Sequence, residues 1–225
     1  MLKKSIFLLL LLGLQHLTYA QKTELVVQNG HSGGPNSIAL SIDQQILCTS
    51  SGDGSVVFWE AKSGLQLNKH QLTNGQGATS VNFSKDGKYV VVTSEGFIAL
   101  FNAKTTNLIK TIPVENFNSA AVFTPDSKYL ISCGWSGKVT VWTTGDWKQV
   151  ASFNPFEEVY KYNAYLSTLT ISPDGKEFVV GSKSAGIASF TIPTIAENWT
   201  AILTTRKFKE TLTSKLAYVK NGNYL

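Results

Sequence analysis

Cysteine is nearly absent, with Cys48 and Cys133 the only two in 225 residues. Two thiols in separate strand-like runs make no disulfide framework, and no Cys-x-x-Cys pair exists to seed a zinc site; burial as small apolar side chains is the expectation for both. Histidine is as sparse: His16, His31 and His70 never form a His-x-x-x-His pair. The Asp-x-Asp-x-Asp spacing of a calcium loop is missing, and Gly33-Gly34-Pro35 is too short and wrongly placed for a phosphate loop. No metal or other cofactor is therefore expected. Helices are not expected either, because Pro, Gly and β-branched residues interrupt every candidate. The formal charge of +5 is small and its lysines are scattered through turns, an ordinary solubility pattern that speaks against nucleic acid as a partner.

The longest apolar run lies at the start. Lys3 and Lys4 precede Ile6–Leu12, and Thr18-Tyr19-Ala20 ends on a small residue, the order of a cleavable signal peptide over residues 1–20. The run is about half the roughly 20 residues needed to cross a bilayer. Cleavage would lower the charge to +3, leave no segment for stable membrane insertion, and place the chain in a periplasm or outside the cell.

The rest of the chain is repetitive. Apolar alternation, a tight turn and a second apolar run recur around Asp43, Asp86, Asp126 and Asp174, at separations of 43, 40 and 48 residues. A degenerate fifth copy opens at Leu216, with Asn221 in the turn position 47 residues after Asp174. Within a copy, Ser80–Phe83 reads as a half-buried strand, Asp86-Gly87-Lys88 as a turn and Tyr89–Val92 as its returning partner. A further glycine turn leads to a third strand ending in Trp59, Phe101, Trp142 or Phe190. A weaker outer strand follows, as in Leu65–Leu67 or Trp147–Val150. Four short strands per copy predict an all-β fold, a β-propeller with four blades of four-stranded antiparallel sheet plus the start of a fifth, forming an incomplete ring. Residues 21–225 make up the propeller, with blades at about 30–70, 71–112, 113–155, 160–200 and, in part, 205–225.

These residues resemble the WD-repeat family, most closely over Gly30-His31, Leu40–Asp43 and Leu47–Trp59. The resemblance implies a buried network of His31, Thr49, Asp53 and Trp59 in the first blade. In the third it implies only Ser132 and Trp142, since Ser136 stands where the aspartate would be. The second and fourth blades end in phenylalanine and are expected to rely on apolar packing. Glu24–His31 is also similar to the start of exported bacterial WD-repeat proteins, some of which continue into a caspase-like domain.

Catalytic candidates are few. His31 is claimed by the network, and His70 reads as an exposed residue of a polar loop. Asp43, Asp86, Asp126 and Asp174 recur in equivalent turns, which reads as turn capping and not as paired acid/base carboxylates. Trp135 occupies the variable position of a turn, and Tyr160, Tyr162 and Tyr165 fall in an expanded connection; these four are the candidate partner contacts. The sequence therefore predicts a non-catalytic scaffold that binds proteins. The alternative is the regulatory or targeting propeller of a larger exported, caspase-like peptidase.

Overall fold

A computed structural model describes residues 29–72, 77–157, 164–193, 206–208 and 215–217. The signal-like segment 1–20, Tyr160, Tyr162 and all but the opening of the fifth copy lie outside the described residues. Those described contain strands and turns and no helix, so none that could cross a membrane.

Strands β1 (Pro35–Leu40), β2 (Ile46–Ser51), β3 (Ser55–Glu60) and β4 (Gln66–Gln71) form one antiparallel sheet in chain order. Strands β5 (Ala78–Phe83), β6 (Tyr89–Asn102), β7 (Leu108–Phe123), β8 (Tyr129–Gly134), β9 (Val139–Thr143) and β10 (Gln149–Phe153) form a continuous six-stranded sheet. The last sheet holds β11 (Leu166–Ile171), β12 (Glu177–Ser182), β13 (Gly186–Thr191) and β14 (Arg206–Phe208).

The six-stranded sheet is two four-strand units run together. The first part of β6 pairs with β5 (Val81 with Val92), and its second part pairs with the start of β7 (Ile98 with Ile112). The end of β7 then pairs with β8 (Val122 with Ile131). One backbone bond closing the second hairpin recurs along the chain: Ala61 N to Gln45 O, Ala103 N to Lys88 O, Thr144 N to Lys128 O and Ile192 N to Lys176 O, at 2.7–3.0 Å. Its second instance shows β6 folding back at Gly96, whose φ of +76° suits glycine. The link between the second and third units runs straight through β7, where separate strands were expected. Units 1 to 4 below denote these four repeats. Trp147, expected in an outer strand, instead sits in the turn before β10 at φ +58° and packs edge-on to Tyr89 at 5.0 Å.

The repeated turn has a repeated chemistry. Ser41, Ser84, Thr124 and Ser172 each donate their hydroxyl to the aspartate two residues on, at 2.6–2.7 Å. Each hydroxyl also accepts the N–H that opens the returning strand, from Ile46, Tyr89, Tyr129 and Glu177. The left-handed residue of the turn is Gln44, Gly87, Ser127 or Gly175. The aspartates thus sit in four equivalent turns, each folded onto its own backbone. The hydroxyl of Ser41 is the chief cause that holds the Asp43 carboxyl below its usual range, and Ser172 does the same for Asp174.

The apolar cores lie between successive units, not inside them. Cys48, Val56 and Phe58 of unit 1 meet Val90, Val92 and Phe101 of unit 2. Ile98 and Leu100 of unit 2 meet Phe123, Leu130 and Trp142 of unit 3. Ile131, Cys133 and Val141 of unit 3 meet Leu169, Phe178 and Phe190 of unit 4. Burying a side chain of this size on such a face is worth about 1.5–3 kcal/mol. Both cysteines are buried and free, with burial pushing the Cys133 thiol up to about 12.

Innermost strands are also stitched laterally. Asn36 donates to Ala78 O at 2.9 Å, Asn82 to Ala121 O at 2.8 Å and Thr79 to Asn118 O at 2.8 Å. Val81 N donates to Ser37 Oγ at 3.2 Å. The equivalent bond, Leu216 N to Thr168 Oγ1 at 3.2 Å, sets the opening of the fifth copy against β11. His70 is not in an exposed loop: it lies in β4, half-buried, with Nε2 2.8 Å from Thr106 O and its ring 5.0 Å from that of Phe101. The apolar ring atoms earn their place at the boundary between units 1 and 2, which a polar sequence neighbourhood conceals.

Candidate functional site

The polar cluster of unit 1 is built from both ends of its hairpins. Thr49 comes from β2 and Trp59 from β3; Asp53 comes from the turn between them, and His31 from the segment entering β1. Trp59 Nε1 donates to Thr49 Oγ1 at 2.9 Å, and His31 Nε2 lies 2.7 Å from the same hydroxyl. On the other side His31 Nδ1 meets Ser55 Oγ at 2.6 Å, and Ser55 Oγ donates to Asp53 Oδ1 at 2.6 Å. Asp53 Oδ2 accepts Ser32 N and Oγ, at 2.6 and 2.8 Å, and Gly33 N at 3.2 Å.

With the imidazole neutral, the form its burial favours, the protons run one way along the chain. Ser55 gives its only hydroxyl proton to Asp53, so it must accept from His31 Nδ1–H. Nε2 of the neutral ring then accepts the Thr49 proton at 2.7 Å, in preference to Val57 O at 3.4 Å, and Thr49 in turn accepts the Trp59 N–H. The order Trp59, Thr49, His31, Ser55, Asp53 is satisfied by a neutral imidazole with its proton on Nδ1. Burial lowers the His31 pKa, with Lys69 adding to that effect and Asp53 opposing it. Burial alone would raise the Asp53 pKa, but the hydroxyl and N–H of Ser55 and of Ser32 outweigh it and hold the carboxyl well below its usual range.

The cluster holds a serine, a histidine and an aspartate, yet it is wired against nucleophilic catalysis. Ser55 stands between the imidazole and the carboxylate, fully buried and already donating to Asp53. In a working triad the carboxylate orients the imidazole and the imidazole takes the serine proton. Here the network fastens the entering chain to the second hairpin.

A pH dependence follows. The folded state holds the His31 pKa below the unfolded value of 6.5, so this stability is present above pH 6.5 and is lost as pH falls through that value toward the folded pKa. The turn carboxylates begin from 3.8 and contribute their own loss only lower. Thermal melts should therefore show a first decline below pH 6.5 that is absent in His31→Gln. A histidine titration showing a His31 pKa above 6.5 would contradict it.

Ser55 and Ser32 escaped the sequence reading. Ser55 follows Asp53 by two, and its role depends on the turn bringing both under His31. The other units lose donor and acceptor together. The pair Thr49 and Trp59 becomes Val92 and Phe101 in unit 2, Ser132 and Trp142 in unit 3, and Val180 and Phe190 in unit 4. Units 1 and 3, which carry the indole, also carry the hydroxyl, so neither of these two indole N–H groups is left unpaired. In unit 3 the surviving pair bonds at 3.1 Å.

A second feature lies at the ends of the strands opposite the aspartate turns. Trp135 follows β8 and is 52% exposed, and Tyr165 precedes β11 and is 56% exposed. Their ring centroids are 5.8 Å apart, and the Trp135 ring lies 4.8 Å from, and tilted by 34° to, that of Phe117, a residue that sequence reasoning did not single out. Trp135 N donates to Phe117 O at 2.9 Å. Tyr165 and Trp135 are thus neighbours, while Tyr160 and Tyr162 lie outside the described residues. Among the described residues no group of three or more His, Cys, Asp and Glu side chains could hold a metal ion.

Residues 22–60 and 108–143 match the profile of the WD domain, G-beta repeat family. These stretches take in units 1 and 3 up to their tryptophans. Telomerase protein component 1 of Mus musculus is 25% identical over 173 residues, 75% of this chain and 6% of that protein. Eukaryotic translation initiation factor 3 subunit I of Pyricularia oryzae is 28% identical over 141 residues, 58% of this chain and 41% of that protein. The pre-mRNA-processing factor 17 of Homo sapiens is 27% identical over 113 residues, 47% of this chain and 20% of that protein. The chain spans less than half the length of these relatives.

Proposed function

With WD-type repeats as the premise, we infer that the chain is a non-catalytic protein-binding scaffold whose contact surface centres on Trp135, Tyr165 and Phe117. The observation that carries this is the exposed aromatic cluster. Its rings stand at strand ends, with Trp135 and Tyr165 each about half exposed. Aromatic side chains of this kind contribute most of the affinity in many interfaces. A photo-crosslinking amino acid in place of Trp135 tests it in source cells. The expected result is a discrete protein adduct that weakens at least about tenfold when Tyr165 is also replaced by alanine. The same probe at Lys85, in a turn at the opposite strand ends, should give none. Equal labelling from both positions, or none from either, would sink the reading.

Finer readings rest on narrower support. Ile38 and Leu40 of β1 are 64% and 47% exposed, whereas their equivalents in unit 3, Ala121 and Phe123, are buried against unit 2. That uncovered face supports a further unit packing on unit 1 in a larger ring. The apolar run after Lys3 and Lys4 supports export. The alternative of a propeller serving an exported caspase-like peptidase has only the likeness of Glu24–His31 behind it.

A further inference from the structure

Unit 1 maps onto unit 3 without a gap: Asp43 falls on Asp126, Thr49 on Ser132 and Trp59 on Trp142. On the same register His31 falls on Val114, Asp53 on Ser136 and Ser55 on Lys138. Unit 3 therefore has the hydroxyl and indole without the imidazole and carboxylate that continue their network in unit 1. A cavity of about 670 Å³ lies there, lined among others by Val114, Ser132, Ser136, Lys138 and Trp142.

The lining is rich in acceptors. Asn118 lines the cavity at 5% exposure, and its Oδ1 has no hydrogen-bond partner. An orphaned buried carbonyl of this kind costs about 1–3 kcal/mol unless a donor reaches it. Ser132 Oγ accepts from Trp142 and donates to Thr140 O, which leaves it a lone pair. Glu115 and Glu157 supply two carboxylates, and the cation lining the cavity, Lys138, is spoken for by Glu115 at 3.5 Å. Among the described lining residues the balance is one negative charge. Phe117, Phe153 and Trp142 add aromatic surface.

We propose that this cavity binds a guanidinium group, the side chain of an arginine on a protein partner. A planar cation with five donors and no acceptor suits an unpartnered carbonyl oxygen, a hydroxyl with a spare lone pair, net negative charge and nearby aromatic side chains better than a compact ammonium does. Phe117 lines the cavity and also contacts the Trp135 ring at 4.8 Å, so one bound segment reaches both. The identity of the ligand as a protein side chain rests on the scaffold reading above; the cavity's preference for guanidinium does not.

Titration of the full chain with N-acetyl-arginine methylamide, followed by the Trp142 indole N–H resonance, tests the preference. Saturable binding is expected, with the citrulline analogue at least about tenfold weaker and the lysine analogue weaker than arginine. Glu157→Gln, an exposed change that should leave the melting temperature alone, is expected to weaken binding several-fold. Trp135→Ala should retain arginine binding, which separates the cavity from the exposed cluster. Equal binding of citrulline, or no arginine binding to a folded chain, overturns the proposal; a surviving Trp135 adduct in that case leaves the scaffold reading standing. A capped Gly-Arg-Gly peptide should bind more tightly than free arginine, and the reverse order would overturn a protein source.

Discussion

Replacing Gly134 with alanine is expected to destabilise the chain by roughly 3 kcal/mol, an unusually large effect for one methyl group. Gly134 ends β8 opposite Asn118, and a Cβ there would run into Phe117 O and come within 2.9 Å of Asn118 Cα. Both obstacles are backbone, so no rotamer change relieves them. The cost is steric alone, because the glycine is not in the left-handed region. Separating the strands would also break the Trp135 N to Phe117 O bond. The exposed aromatic cluster should loosen with it. Gly145→Ala, where nothing lies within 4 Å, is the control and should change stability by less than about 0.5 kcal/mol. Urea denaturation midpoints compare the two; similar midpoints would refute the close approach.

Removing the Asp53 carboxylate should cost a comparable amount, about 2–4 kcal/mol at neutral pH. Its two oxygens take five donors from Ser32, Gly33 and Ser55, joining the entering segment to the turn between β2 and β3. In Asp53→Ala, Ser55 loses its acceptor and the proton order through His31 to Trp59 is no longer fixed. Asp53→Asn keeps the shape but replaces an acceptor with an N–H donor, and should recover only part of the loss. The folded state holds this carboxyl below the unfolded value of 3.8, so its contribution is present above that pH and fades as pH falls below it. Wild type and Asp53→Asn should therefore converge in acid. Chemical denaturation at pH 7 and pH 3 reads both effects, and a constant gap between the two proteins would contradict the assignment.

What the sequence made visible was periodic, and what it hid was pairing between distant segments. The spacing of Asp43, Asp86, Asp126 and Asp174 exposed the repeats because each turn is a local device, closed within a few residues. The network members His31, Thr49, Asp53 and Trp59 were legible through resemblance, yet Ser55, the group that joins histidine to aspartate, was not. Its hydroxyl matters only once the turn has placed it between partners 24 and 2 residues away. His70 was misplaced because Lys69-His70-Gln71 looks like loop, while strand pairing with β3 and contact with Phe101 come from outside the window. The cluster at Trp135 was half-read: the exposed turn position was evident, but Phe117 belongs to a strand linking two units. A continuous β7 leaves no turn signal at that junction, so the expected blade boundary falls inside a strand.

Because each apolar core belongs to the gap between two sheets, the polar end of any one sheet is free to drift during descent. A duplicated repeat arrives with an interior its neighbours already match. The tie at its rim can then decay without emptying that interior. Unit 3 fits that allowance, with Ser132 and Trp142 matching unit 1 while Val114, Ser136 and Lys138 stand where unit 1 has His31, Asp53 and Ser55. In this architecture one unit can go without the internal tie that another carries and keep its packed interior, which leaves room at its rim for a group from outside the chain.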